Sequence, residues 1–111
     1  MDKLEQYRQF IQQILTEHAQ HPPAFGNIKA QLIFDCDRDH YQLIYIGWQG
    51  KKRAFGPIMH FSIENGKIWI QYNGTEESVA ERLVEMGVPP TDIVIGFHSE
   101  FKRKFTDYAV K

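Results

Sequence analysis

The first twenty residues alternate apolar and polar positions with the period of an α-helix. Apolar side chains recur at spacings of three and four, which places them on one helix face: Leu4, Tyr7, Ile11, Ile14, Leu15 and His18. The carboxylate of Asp2 is in position to cap the N-terminus, and His21-Pro22-Pro23 ends the helix. We predict that the opposite, polar face is solvated, with partner binding as the alternative.

Four later stretches predict β-strands, and the first and last of them alternate with a period of two, as β-strands with one buried face do. They cover residues 28–36, 40–48, about 54–63 and 67–72. Asn65-Gly66 predicts a type I′ hairpin turn, because both residues tolerate positive φ angles. Residues 40–48 are apolar on both faces, so we expect a central strand covered on each side or a contact between copies. Gly56-Pro57 indicates a bulge or an edge position in the third strand.

A second helix is predicted over residues 75–86, capped by Thr75 and ended by Gly87. Its inward side chains would be Val79, Ala80, Leu83 and Val84. A short strand around residues 92–96 and a C-terminal helical segment follow. The order α-β-β-β-β-α-β, with hairpins between consecutive strands, predicts an α+β fold built on a four-stranded antiparallel sheet with a short fifth strand. The length predicts a single domain over residues 1–111.

Charge and cysteine content narrow the class of protein. Thirteen basic and fourteen acidic residues argue against a surface built wholly for nucleic acid, although a local basic patch is compatible with them. The single Cys36 cannot form an internal disulfide, so we expect a reducing cytoplasm and a buried, apolar role for this thiol. No apolar run approaches the roughly 20 residues of a transmembrane helix, and the charged N-terminus is unlike a signal peptide. We therefore expect a cytoplasmic protein without membrane contact.

No set of residues in the sequence points to catalysis. Asp35, Asp37 and Asp39 have the spacing that begins a calcium loop, but the glycine and glutamate required later are missing, which favours an acidic turn. The five histidines lack zinc-motif spacing. We interpret His60 as a core histidine, with a metal site assembled across the fold as the alternative. We expect no enzyme activity, metal or cofactor.

Aromatic and basic residues are the remaining candidates for binding. Tyr41, Trp48 and Trp69 would be good anchors for a protein partner if exposed, because aromatic side chains supply large contact areas. Two basic clusters could contact nucleic acid: Lys51, Lys52 and Arg53, and Lys102, Arg103 and Lys104. Phe101, Phe105 and Tyr108 flank the second cluster. We favour docking of these aromatics in the core as one helical face, with base stacking as the alternative.

One resemblance to a known family rests on several segments: the opening M-D-K-L-E-Q-Y-R, residues 32–48, G-K-I-W-I-Q-Y-N-G-T-E at 66–76, residues 87–98 and F-K-R-K-F-T-D-Y-A-V at 101–110. Together these segments resemble the XisI family of excision controlling factors. The resemblance extends over essentially the whole chain. It implies an accessory role in the programmed excision of a DNA element in differentiating cyanobacterial cells, beside a site-specific recombinase and a nuclease-like companion, XisH. It implies no catalytic residues.

We therefore expect a small accessory protein that binds an XisH-like companion and so reaches a recombinase complex, with direct or indirect contact to DNA. The first alternative is a DNA-binding module that uses the two basic clusters. A second is a hydrolase, which predicts a deep pocket gathering His60, His98 and a carboxylate. A homo-oligomer is compatible with each of these hypotheses.

Overall fold

A computed structural model describes residues 2–24 and 26–111 as two helices and a short third one around a five-stranded sheet. In chain order the elements are α1 (Lys3–Ala19), β1 (Asn27–Asp35), β2 (His40–Gln49), β3 (Lys52–Glu64), β4 (Lys67–Asn73), α2 (Val79–Glu85), β5 (Ile93–Ile95) and α3 (Glu100–Arg103). The strands follow one another across the sheet, antiparallel from β1 to β4, with β5 parallel to β4. This confirms the predicted α+β class.

Helix α1 forms as its apolar stripe predicts. Asp2 caps it by accepting a hydrogen bond from the backbone N–H of Leu4 at 3.4 Å. The stripe side chains Tyr7, Ile11, Ile14 and Leu15 are buried in the core. The helix ends at Ala19, before the two prolines. Burial of this stripe against the sheet is what holds α1 in place, because most of the stability of a helix in a protein comes from the packing of its apolar face.

Two polar contacts fix the direction of α1 across the sheet. The guanidinium of Arg8 donates to both carboxylate oxygens of Asp39, at 2.7 and 3.2 Å, in the turn between β1 and β2. The hydroxyl of Tyr7 donates to Asp92 at 2.6 Å, beside β5. The hydrogen bonds from Arg8 are the main reason why the pKa of Asp39 is lowered. The helix is therefore bound at two points that are distant in sequence.

Helices α1 and α2 pack on the same face of the sheet, which we call the inner face. Tyr41, Leu43, Phe61 and Ile70 point into it and join the buried residues of both helices in one core. The other, outer face contains the alternate residues of β2, including Ile44, Ile46 and Trp48. Neither α1 nor α2 covers it. The expectation that β2 is covered on both sides is therefore wrong, and its alternative, a contact between copies, stays a prediction.

The structure decides the position of the third strand. The pairing of β2 with β3 shifts between Leu43 and Ile44, opposite residues 57–59. This confirms the bulge predicted from Gly56-Pro57. The edge alternative is wrong, because β3 lies between β2 and β4.

The second helix is shorter than predicted, beginning at Val79 instead of residue 75. The N–H and hydroxyl of Thr75 both donate to the side-chain oxygen of Asn73, at 2.9 and 2.6 Å. The amide of Asn73 in turn donates to the carbonyl of Glu77 at 2.8 Å. These local bonds keep residues 73–77 in a turn, so Thr75 is not a helix cap. Val84, predicted to face inward, is exposed.

Two predictions of burial near the chain's turns are also wrong. Phe101 and Phe105 are 67% and 77% exposed, and of the three predicted docking aromatics only Tyr108 packs against the core. Helix α3 ends at Arg103, so the three rings do not share one helical face. Cys36 is exposed, because β1 ends at Asp35 and places the thiol in the turn that follows.

Candidate partner-binding surface

The outer face is apolar where β2 and β3 approach their connecting turn. The strand register places Ile46 opposite Phe55 and Trp48 opposite Arg53. We call this region the hairpin surface and define it as Ile44, Ile46, Trp48, Arg53 and Phe55. Ile44 and Ile46 are half-buried by their neighbours in the sheet. The surface is thus a two-stranded, largely apolar platform on the side that lacks α1 and α2.

The two aromatic rings of the hairpin surface are open to solvent and share one cation. Trp48 is 49% and Phe55 is 68% exposed. The guanidinium carbon of Arg53 lies 5.2 Å from the centre of the Trp48 ring and 5.9 Å from that of Phe55. Both distances lie within the range of cation–π attraction. This arrangement orders a tryptophan, an arginine and a phenylalanine before any partner arrives, which lowers the entropy lost on binding.

The local sequence explains why the hairpin surface forms. Gly47 permits β1 to approach closely, because a Cβ atom there would lie 2.0 Å from the carbonyl oxygen of Asn27. Gly50 has a φ angle of 63° in the turn, where glycine is favoured. Lys51 and Lys52, members of the first basic cluster, are exposed at that turn. They give the hairpin surface a positively charged border.

The structure separates the three aromatics predicted as partner anchors. Only Trp48 is openly exposed. Tyr41 is fully buried on the inner face, and its hydroxyl donates to Asp39 at 2.9 Å. Burial and this hydrogen bond raise the pKa of Tyr41. Tyr41 therefore does not meet the condition of exposure. Trp69 is half-buried on the outer face, with the guanidinium carbon of Arg103 5.1 Å from its ring centre.

The three members of the second basic cluster also differ in exposure. Arg103 points into the protein and donates to the backbone carbonyls of Ile95, Gly96, His98 and Val110, at 3.0 to 3.4 Å. It is a structural residue, which corrects its assignment as a nucleic-acid contact. Lys102 and Lys104 are exposed beside Phe101 and Phe105, whose ring centres are 5.3 Å apart. We call these four exposed residues the C-terminal surface.

Two of the five histidines, His40 and His60, lie close together. Nδ1 of His40 lies 3.3 Å from Nε2 of His60, and the side chain of Gln42 lies 3.4 Å from the other nitrogen of His60. Burial and the nearby His40 lower the pKa of His60. The strand register places this pair on the outer face, so the interpretation of His60 as a core histidine is wrong. Among the described residues, no three His, Cys, Asp or Glu side chains are grouped as a metal site requires.

A cavity of about 260 Å³ lies on the opposite side of the sheet, between the start of α2 and the C-terminal segment. His98 and Glu81 contribute to its lining, together with apolar side chains that include Ile70 and Val79. His60 is not part of this lining. The gathering of His60 and His98 that the hydrolase alternative predicts is therefore not formed.

In the part of the chain that the structure describes, no helix has both the length and the apolar character needed to span a membrane.

Comparison with known proteins supports one family. The chain is similar in fold and sequence to a crystallised XisI-like protein from Anabaena variabilis, with a TM-score of 0.91 and 42% identity over 97% of this chain and 99% of that one. It is also similar to the fdxN element excision controlling factor XisI of Anabaena variabilis, with a TM-score of 0.86 and 37% identity over 99% of this chain and all of the other. No curated protein matches it significantly. The family described as XisI protein matches residues 1–110. The chain therefore belongs to the XisI family.

Proposed function

We propose that this protein is a controlling factor for the programmed excision of a DNA element, and that it acts by binding a protein partner without catalysing a reaction itself. The partner that we propose is an XisH-type companion, through which the protein reaches a recombinase complex in the cytoplasm. The similarity to a protein named as an fdxN element excision controlling factor supports the process. The hairpin surface supports the mode of action.

The observation that favours binding is the pairing of Trp48 and Phe55 around Arg53 on a sheet face that neither α1 nor α2 covers. Tryptophan and arginine dominate the energy of protein interfaces when they occupy the centre of a desolvated contact. Ile44 and Ile46 extend the apolar area beside them. An acidic border on the partner would complement Lys51 and Lys52 and accelerate association.

The test is to mix the purified chain with its XisH-type companion at physiological salt and measure mass by size exclusion with light scattering. We expect a mixed complex. The double substitution Trp48→Ala and Phe55→Ala should weaken it at least tenfold, because two exposed anchors are lost. The same chain with Phe101→Ala and Phe105→Ala is the matched control, since it also removes two exposed rings. Circular dichroism should show that both variants are folded.

Two results would contradict this proposal. One is the absence of a mixed complex when both proteins are folded. The other is equal affinity for the wild type and the Trp48/Phe55 variant, which would show that the hairpin surface is not the site.

A second candidate function is direct DNA binding, and the C-terminal surface is the observation that favours it. Two exposed lysines beside two exposed phenylalanines combine phosphate neutralisation with base stacking. Charge reversal of Lys102 and Lys104 should then weaken DNA binding and reduce the magnitude of its salt slope by about 2, one for each lost phosphate contact. Reversal of Lys51 and Lys52 tests the other basic cluster. Arg103 is left unchanged in both variants, because its substitution would disturb the fold.

A further inference from the structure

The two edges of the sheet are closed to different degrees. The β5 edge has only three residues, and the C-terminal segment covers it: the N–H of Ala109 donates to the carbonyl of Ile93 at 2.8 Å, and Arg103 donates to the carbonyl of Ile95. At the opposite edge lies β1, with nine residues. Within residues 2–24 and 26–111, no segment pairs with the outward side of β1.

Strand β1 also lacks the features that usually protect an edge. Natural edge strands are shortened, bulged, interrupted by proline or heavily charged, because an open ladder pairs readily with another chain. Here the register with β2 is continuous from Asn27 to Asp35, and the strand contains no proline. Three consecutive apolar residues are exposed: Leu32 at 37%, Ile33 at 44% and Phe34 at 36%.

We propose that β1 pairs antiparallel with β1 of a second copy of the chain, around a two-fold axis through Leu32. A two-fold axis perpendicular to the sheet keeps the faces of both copies aligned, so outer-face residues meet outer-face residues. In this register Lys29 lies opposite Asp35 of the second copy, and the same ion pair occurs twice by symmetry. The two five-stranded sheets become one continuous sheet.

The side chains of the inner face also fit this register. Ala30 lies opposite Phe34 of the second copy, so a small side chain faces a large one, and the two Leu32 side chains meet at the axis. The neighbouring registers lack the pairing of Lys29 with Asp35. An axis through Gln31 places Lys29 opposite Ile33, and an axis through Ile33 places Asp35 opposite Gln31. Opposite charges directly across an antiparallel pair are stabilising, and the axis through Leu32 is the one of the three that provides them.

This inference goes beyond the proposed function and does not depend on it. The hairpin surface lies on the face of the sheet, whereas the self-association uses the edge. A variant that disrupts one contact should therefore leave the other intact.

The first experiment measures the mass of the purified chain by light scattering over a series of concentrations. We expect the wild type to approach twice the chain mass. Ile33→Lys should weaken the dimer at least tenfold, because the new cation lies diagonally across from Lys29 of the second copy. Phe55→Lys is the matched control: it adds the same cation to the same face, away from β1, and should remain dimeric. A wild type that stays monomeric at every concentration, or an Ile33→Lys variant that dimerises as well as the wild type, would overturn the proposal.

The second experiment tests the register and stands even if Ile33→Lys fails to fold. In a Cys36→Ser background, Leu32→Cys should form a disulfide-linked dimer under mild oxidation, because directly paired residues lie within the 4.4–6.8 Å that a disulfide spans. Lys29→Cys is the control. Its two copies would lie six positions apart along the ladder, about 20 Å, and should not cross-link. Equal cross-linking at both positions, or none at Leu32, would refute this register.

Two variants distinguish the proposed contact with the companion from the proposed dimer. The Trp48→Ala, Phe55→Ala variant should lose the companion and keep the dimer. Ile33→Lys should lose the dimer and keep the companion. Loss of both contacts in either variant would count against β1 as an independent interface.

Discussion

Arg103 gives the sharpest prediction, because its guanidinium holds the C-terminal segment against the sheet. It donates to the carbonyls of Ile95 and His98, on the β5 side, and to that of Val110, near the chain's end. It also lies over the ring of Trp69 at 5.1 Å. The substitution Arg103→Met removes the guanidinium and should therefore release residues 104–111 and expose Trp69 to water.

The expected cost follows from these contacts. A hydrogen bond to a charged group contributes about 1.5–3 kcal/mol, and a cation–π contact at a partly exposed site about 0.5–2 kcal/mol. The sum is an upper limit, since carbonyls freed by a fraying segment are rehydrated. We expect Arg103→Met to lower the free energy of unfolding by about 2–4 kcal/mol. The free energy of unfolding of Arg103→Lys should lie between those of the wild type and Arg103→Met. Lysine keeps the positive charge but loses the planar, branched set of donors of the guanidinium.

Urea unfolding followed by tryptophan fluorescence measures this loss. In a Trp48→Phe background the signal comes from Trp69 alone, and its native emission should shift to longer wavelength in Arg103→Met. Lys102→Met is the matched control, because Lys102 is adjacent and exposed; its effect should stay within about 0.5 kcal/mol. If Arg103→Met unfolds at the same urea concentration as the wild type, with unchanged emission, the structural role of Arg103 is refuted.

Three further predictions concern the sheet, the core and the pH dependence of stability. Gly47→Ala should cost about 1–3 kcal/mol in urea unfolding, because the new Cβ would lie 2.0 Å from the carbonyl oxygen of Asn27; a neutral result would show that β1 can move away. Ile14→Ala should cost about 2–5 kcal/mol, since this side chain is fully buried, and a loss below about 1 kcal/mol would contradict its place in the core. The pKa of His60 is lowered by burial and by His40, so the unfolded chain binds the proton more readily and stability should decrease as pH falls below about 6.5. His60→Gln should flatten that decrease, and an unchanged slope would assign it to other groups.

The secondary structure was predictable where local periodicity decides it. Helix α1, its Asp2 cap and the bulge near Gly56-Pro57 all follow from residue order and the size of side chains. The start of α2 was not predictable, because Thr75 has two possible hydrogen-bond partners and the side chain of Asn73 competes successfully with the helix. The choice depends on how the turn after β4 leaves the sheet.

The candidate site was predictable in part. The sequence singled out Trp48 and the basic residues 51–53, and the structure groups Trp48 with Arg53. The sequence patterns did not single out Phe55, although residues 53 and 55 share one face of β3 and the ring lies beside Arg53. The sequence patterns also did not indicate the contact of Arg8 with Asp39, since these residues are 31 positions apart and neither has an unusual local context. Pairs of this kind appear only when helix and turn are brought together.

By itself, the sequence determined the order and type of the main elements, the α+β class and the family, because these depend on local patterns and on whole-chain similarity. Tertiary structure alone decided which apolar face would be covered, and which members of an apparently uniform cluster would be free. Tyr41 and Trp48 have similar chemistry, yet one lies beneath α1 and the other faces solvent. Lys102 and Arg103 are neighbours, yet only Arg103 turns inward to the backbone carbonyls. The physical reason is that burial depends on what packs against a residue across the fold, and no local pattern specifies that neighbour.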